Sequence, residues 1–445
     1  QLTIDKYVDN PVVPAELGLL LALRLDPARW EVIGVSVDQG VLGTFSDTDP
    51  DSPVLDFTTD SVHAIDLGSM IVYVSMKHGL RHECPSCGGM MCINKWVDTA
   101  YDSSPIMSMR TSVCISVPKL HCKHCGTFPK ARCPLVVPNH TYTKLLKFDI
   151  ISTLSEETVA STSRTCKVGK HIVADVLHQS VEEGKARQEL SPTHTLFIDE
   201  IQSTHGQNYI TMVADQDHTA ICGVIGHDIQ SVRDIRDWIV SKGGDPNRIT
   251  LVCSDMSKAY KAGVTECFPK AVRVLDKFHV DNLVSKALEE VRKRTNRELK
   301  EAGLEYPKGV KYTVLYRKAN HDEKHRKRME EIRMYNKELA LAFDLKEEFF
   351  DLFECRDKHH ARSYFFSWYN RVRGSRIPEM VDVSKRLMKR LNEILRWFDH
   401  KVTNAVSEGM NNTYKKIKSA AFGFKNEQNL IDMCLFRKGK LKLSI

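Results

Sequence analysis

The segments LFIDE (196–200), YITMVA (209–214), AICGVI (220–225), ITLVC (249–253) and VRVL (272–275) decide the fold of this chain. Each is a short apolar run bounded by polar or turn residues, the pattern of a strand inside a sheet. The first three follow one another as hairpins. Helical spacing over Val232–Val240, and again before Pro269, then alternates with the last two. Three hairpin-linked strands followed by alternating helix and strand predict a mixed α/β sheet with helices packed on it. Carboxylates stand at the ends of these runs: Asp199 with Glu200, Asp255 and Asp276. Glu200 alternates to the face opposite Asp199 and is set aside as a ligand. Asp215 and Asp217, after the second run, are reserve candidates.

Beyond the sheet, residues 281–400 lose strand character and become helical, charged and aromatic, with basic runs Arg292–Arg294 and Lys324–Arg328. A helix follows by spacing over Val402–Lys418. Its Glu408, Asn411 and Lys415 fall at i, i+3 and i+7 on one face. Divalent magnesium needs oxygen ligands of strong negative charge with an open side for phosphate. Asp199, Asp255 and Glu408, on three separate elements meeting at a sheet edge, would supply them. The competing reading of the helix is a solvated face with ordinary charge pairs.

On the N-terminal side, Cys84-Pro-Ser-Cys87-Gly88 is answered by Cys122-Lys-His-Cys125-Gly126. In such a turn the backbone curls so that both thiolates face one ion, and glycine accepts the dihedral that follows. Two turns complete a tetrahedron, and the strand-like VCISV (113–117) between them suits a zinc ribbon. The alternative is a disulfide or buried free thiols. Cys92, Cys114 and Cys133 read as ordinary small residues, and His121 and His124 are surplus to four sulfurs. After Pro138, residues 141–185 carry helical spacing with a polar turn in the middle. This pattern fits a helix-turn-helix presenting Lys167, Lys170 and His171, and equally a plain helical hairpin.

A length of 445 residues implies two to four domains. The expected segments are 1–80, without assigned chemistry; 81–137, the zinc ribbon; 138–190, the helix-turn-helix; 191–280, the first part of the core; 281–400, an all-α insertion; and 401–445, the final helix and basic tail. Hydrophobic content of 42% and charged content of 27% exclude a disordered or fibrous chain. The net charge of +7 permits a polyanionic partner without requiring one. The longest apolar stretch, Leu17–Leu25, is broken at Arg24 and falls short of the ~20 residues that cross a bilayer. A soluble intracellular protein is expected, and Gln1 at the start carries no targeting conclusion.

The ordered series C-x-x-C-G twice, the helical turn, I-D-E (198–200), S-D-M-S-x-x-Y (254–260), F-P-x-A (268–271), D-x-F-H (276–279), E-G-x-N-N-x-x-K-x-I-K (408–418) and G-F (423–424) resembles the ISL3 family of bacterial insertion-sequence transposases over roughly residues 62–440. The resemblance implies an RNase H-like core with the triad Asp199, Asp255 and Glu408, interrupted by a helical insertion. It also implies two Mg²⁺ or Mn²⁺ ions per active site, beside a structural Zn²⁺. Asp276 and His279 match the C/D-x-x-H pattern of that group, His279 in a structural or DNA-positioning role. The implied partner is double-stranded DNA, both transposon ends and target, contacted by a homodimer or higher oligomer in the bacterial cytoplasm, at the nucleoid. Asn411, Lys415 and Lys418 would meet phosphate. Trp397 and Trp368 are candidates for stacking on an exposed base, with core packing the commoner role for each such aromatic. The chain departs from the family pattern at Gly226-His227, where Gly-Arg is usual, and at Ser419-Ala420-Ala421, which lacks an arginine common there. No carboxylate is lost by either change. A zinc-ribbon regulator, or a domesticated transposase that only binds DNA, is the alternative function.

Overall fold

The structure, a computed structural model, describes residues 15–38, 68–203, 209–304, 309–400, 404–421, 424 and 426–444, without the side chains of 404–408 and 411. The chain divides into two compact units, Gln1–Ala186 with Lys442–Ile445, and Arg187–Leu441.

The first unit opens with α1 (Ala15–Ala22), β1 (Trp30–Asp38), β2 (Ser69–Met76), β3 (Met91–Ile106) and β4 (Met109–Cys122). These strands form one sheet in the order β1-β2-β4-β3, with β2 parallel to β4 and the outer pairs antiparallel. The expected boundary at residue 80 therefore runs through a sheet. β1 and β2 come from the segment read as separate, because their apolar faces need the hairpin's face to be buried. Trp30, Val72, Val74, Val113, Ile115 and Val117 make that core, closed by Leu20 and Leu23 of α1. Met107 and Ser108 turn the β3–β4 hairpin, both at positive φ (49° and 62°). Three helices complete the unit: α2 (Lys144–Leu154), α3 (Val159–Thr165) and α4 (Lys170–Ala186). Thr143 and Thr158 cap the first two by accepting from the amides of Leu146 and Ser161.

The second unit begins with β5 (Thr195–Gln202), β6 (Tyr209–Ala214), β7 (Ala220–Ile225), α5 (Ile229–Ser241), β8 (Leu251–Ser254), α6 (Lys258–Cys267) and β9 (Val272–Leu275). The sheet order is β7-β6-β5-β8-β9, antiparallel on the hairpin side and parallel from β5 to β9. Leu196, Ile198, Val213, Val232, Ile235, Val252 and Tyr260 pack α5 and α6 onto it. The backbones of α5 and α6 come close at Gly263, where a Cβ would sit 2.7 Å from Val232.

A long helix, α7 (Lys277–Glu301), then leads into α8 (Val310–Leu315), α9 (Glu323–Tyr335), α10 (Lys337–Phe350), α11 (Lys358–Ser375), α12 (Pro378–Met388), α13 (Leu391–Leu395) and α14 (Trp397–His400). Their apolar stripes, including Val284, Leu288, Phe343, Phe349, Phe365 and Leu387, share one core. Trp368 belongs to it. Its ring is fully buried and its Nε1 donates to the Leu345 carbonyl at 2.8 Å, which removes it as a base-stacking candidate. The chain ends with α15 (Asn404–Ala420) and α16 (Glu427–Lys438). No helix among the described residues is long and apolar enough to cross a membrane.

Candidate active site and metal centre

β5 and β8 pair in parallel with Phe197 opposite Cys253. Two residues further along each chain, Asp199 and Asp255 therefore stand level. β8 stops at Ser254 because Asp255 Oδ1 accepts from the Ser257 amide at 2.9 Å and starts the turn into α6. β9 stops in the same way. The Asp276 amide donates to the Ser254 carbonyl at 3.0 Å, and its Oδ1 accepts from the Phe278 amide at 2.9 Å as the cap of α7. Asp255 and Asp276 thus stand where β8 and β9 release the chain, beside Asp199, which lies within the neighbouring β5.

His279, in the first turn of α7, sits among them. Its Nε2 lies 3.1 Å from Asp199 Oδ1 and 4.0 Å from Asp276 Oδ2. Burial disfavours charge on the ring, but the bond to Asp199 and the fields of Asp199, Asp276 and Asp255 outweigh it and raise its pKa. The cluster is hard oxygen with one imidazole, a donor set suited to a divalent cation beside phosphate. Among the described residues these acids and His279 do not close to within 4.8 Å of one another as a ligand group.

Glu200 faces the other side of β5, where burial and then the charge of Asp255 raise its pKa and Tyr260 hydrogen-bonds it. The Tyr260 hydroxyl is shared with Thr211 Oγ1 at 2.8 Å. Asp215 and Asp217 are corrected as reserve ligands. They lie in the β6–β7 turn beside Ala214, which pairs with Phe197, whereas Asp199 pairs with Met212 further along. Asp215 spends its carboxylate on the amides of Asp217 and Thr219, both at 2.9 Å.

The sequence reading missed Arg273. It sits in the apolar run of β9 and is 7% exposed. Its Nε donates to Ser254 Oγ at 2.9 Å, one Nη binds the Asp255 carbonyl, and the other donates to Glu393 Oε2 of α13 at 3.1 Å. Lys261 of α6 holds the second oxygen of Glu393 at 2.6 Å. The signal was available: an arginine inside a buried strand must find several partners.

α15 lays Met410, Tyr414 and Ile417 inward, each under 9% exposed, at the β5 side of the sheet. Lys418 Nζ donates to the Gln202 carbonyl at 2.5 Å, and Lys415 Nζ lies 5.6 Å over the ring of Phe278, the neighbour of His279. The side chains of Glu408 and Asn411 fall outside the described residues. Trp397 is half-buried and packs edge-on to Phe353, at 5.3 Å between centroids, and against Cys253 and Val274, so its ring is engaged in the fold.

In the first unit, the two cysteine turns are near copies. Gly88 and Gly126 have φ of 70° and 71°, and each donates its amide at 2.8 Å to the carbonyl of the first cysteine of its turn. β3 and β4 bring the turns together, Met91 pairing with Cys122. Sγ of Cys84 lies 3.5 Å from that of Cys125, and Cys87 is 3.6 Å from Cys122. All four sulfurs lie within 4.8 Å of one another. A tetrahedron with Zn–S bonds of ~2.3 Å has edges of ~3.8 Å, so the set fits a zinc ion. The Thr127 hydroxyl first, then the Ser86 amide, bring the Cys84 thiol down to about 5. His121 instead stacks on Phe128 at 4.3 Å. In the helical part, α3 ends in a turn with Lys167 at φ 55°, and α4 exposes Lys170 and His171 while burying Ile172, Val173, Val176 and Leu177.

The sequence profile of the ISL3-type DDE transposases, described as Transposase, matches residues 196–434, more than half of the chain. This chain belongs to the ISL3 family of DDE transposases. It is a DNA-processing enzyme of that family. The transposase for insertion sequence element IS1001 of Bordetella parapertussis is 24% identical over 328 residues, covering 73% of this chain and 80% of the relative. The transposase for insertion sequence element IS1557 of Mycobacterium tuberculosis is 24% identical over 264 residues, 54% of this chain and 58% of the relative. Among solved structures, the Drosophila P element transposase strand transfer complex is similar with a TM-score of 0.34 and 9% identity, over 66% of this chain and 92% of that one.

Proposed function

We propose that this ISL3 transposase binds the terminal inverted repeats of an insertion sequence and cuts and rejoins DNA with Asp199, Asp255 and Glu408. The observation that carries the reading is the side-by-side placement of Asp199, within β5, and Asp255, just past the end of the adjacent parallel strand β8, inside the segment matched to the family. The strand order supports an RNase H-like core, with α7–α14 as the inserted helical part.

Two Mg²⁺ or Mn²⁺ ions held by the three acids would activate the attacking oxygen and stabilise the leaving one. Water attacks phosphorus and the bond to the 3′ oxygen breaks, leaving a 3′-hydroxyl and a 5′-phosphate. In the second step that hydroxyl attacks a target phosphodiester, again with one P–O bond formed and one broken. His279 orients Asp199, Arg273 fixes the backbone that carries Asp255, and Lys415 and Lys418 steady the phosphate charge near the cut. Asn411 joins them from the same helix. The Cys84, Cys87, Cys122 and Cys125 zinc ribbon, with Lys167, Lys170 and His171 of the helix-turn-helix, binds the ends. Phosphate contacts supply most of its affinity and a few side chains read bases. A homodimer or higher oligomer would hold two ends at once.

Alanine at Asp199, Asp255 or Glu408, one at a time, should abolish nicking of an end-containing duplex while end binding persists. Full cleavage by all three variants removes the assignment.

A further inference from the structure

The helical part of the second unit neutralises most of its arginines locally. Arg292 pairs with Glu289 at 2.6 Å, Arg294 with Glu338 and Glu379 at 2.6 and 2.7 Å, Arg333 with Asp344 at 2.6 Å and Arg371 with Glu348 at 2.9 Å. Lys286, Arg386 and Lys389 differ. All three are exposed, and among the described residues they enter no ion pair. They line one cavity of about 360 Å³ together with Asp255 and His279.

Helix geometry explains why the charges gather there. His279, Asn282 and Lys286 stand at i, i+3 and i+7 on α7, so one face begins at the acid cluster and reaches Lys286 about 10 Å along the axis. α12 packs against α7 and brings Arg386 and Lys389, at i and i+3, to the opposite wall. A second cavity, of about 310 Å³, continues past Lys286 and Arg386. The acids lining it do not cancel these cations: Glu290 is matched by Lys293, Glu379 by Arg294 and Asp382 by Lys385. Basic residues at the C-terminus of α12 also favour its helix dipole. That accounts for Arg386 and Lys389, and leaves Lys286, in the middle of α7, unexplained.

We propose that the groove between α7 and α12 holds the backbone phosphates of the DNA strand being cut, to one side of the scissile bond, through Lys286, Arg386 and Lys389. The inference rests on the reading of Asp199 and Asp255 as the acids at the cut. At 3.4 Å per step, a groove of about 10 Å spans about three phosphates, one per unpaired cation. Like charges left unpaired repel one another in the unbound protein, and a polyanion removes that repulsion.

The test measures affinity of the full chain for a short duplex with a single-stranded 3′ extension, in metal-free buffer, as a function of salt. The triple variant K286Q/R386Q/K389Q should reduce the slope of log affinity against log salt by about 2 to 3, since each lost contact removes ~0.7 to 0.9. The control K324Q/K327Q/R328Q, on α9, removes charges of which two are already matched by Glu323 and Glu331, and should leave the slope unchanged. Photocrosslinking from benzoylphenylalanine placed at Lys389 should label the cut strand. A slope for the first triple variant equal to that of wild type, with a wild-type circular dichroism spectrum and no crosslink, overturns the proposal. Failure of the wild-type chain to nick DNA in Mg²⁺ would instead remove the catalytic reading, and the slope comparison would still report on the groove.

Discussion

Arg273 and Glu393, 120 residues apart in the chain, meet at 3.1 Å, and through them a short helix of the inserted region grips the backbone that carries Asp255. Glu393→Gln keeps a hydrogen-bond acceptor and removes the charge that balances a buried guanidinium. A misplacement of ~1 Å at a reacting centre costs about 100-fold. The variant should therefore cut DNA about 10- to 100-fold more slowly and need more Mg²⁺ for half-maximal rate, with end binding unchanged. Cleavage rates measured across a Mg²⁺ titration check this. An unchanged metal dependence would place the pair outside Asp255's support.

The four clustered sulfurs predict about one zinc per chain by elemental analysis. Cys87→Ser and Cys125→Ser should each lose the metal. Cys92→Ser, Cys114→Ser and Cys133→Ser should keep it. Because binding energy at such a site is folding energy, chelation should lower the melting temperature of a fragment reporting on the β3–β4 sheet.

Asp281, on α7, is a buried carboxyl with Oδ1 lacking a hydrogen-bond partner. Burial pushes its pKa up to about 7, against the nearby charges of Lys277 and Arg317, with Asp276 adding to the rise. The folded state therefore holds the proton more tightly than the unfolded chain. Stability from this group is greatest below the unfolded value near 3.8 and falls as pH rises to about 7. Asp281→Asn should flatten that fall, gaining up to about 4 kcal/mol at pH 8 and little at pH 4, because each tenfold difference in proton affinity between folded and unfolded chain is worth about 1.4 kcal/mol. Chemical denaturation across pH measures it.

Ser108 holds a left-handed backbone at the tip of the long hairpin, a conformation that costs side-chain-bearing residues about 1–2 kcal/mol. Ser108→Gly should raise stability by about 1 kcal/mol without altering DNA cleavage. A thermal melt reads the gain.

Strand runs such as YITMVA, AICGVI and VRVL were legible because local periodicity and β-branched composition mark buried strands wherever they occur; the observed β6, β7 and β9 have those bounds. The pairing of β5 with β8 was legible from the hairpin-then-alternation order. What stayed hidden depends on contacts across long sequence separations. β1 joins the cysteine hairpin's sheet through β2, 31 residues beyond its end, and nothing local to Trp30–Asp38 announces that partner. The partner of Arg273 stayed hidden, since Glu393 lies on a helix whose docking no spacing rule gives. Core packing was the commoner expectation for Trp368 and Trp397, and both rings are engaged in the fold, but which neighbours they would meet was not legible from a helical pattern.

The paired cysteine turns flank the open end of the β3–β4 hairpin, and this has a consequence for folding fidelity. Strand pairing can slip, and a slip of one residue turns every side chain to the wrong side. With sulfurs anchored just before β3 and at the end of β4, a slipped hairpin cannot gather all four around one ion, so metal capture acts as proofreading of strand alignment.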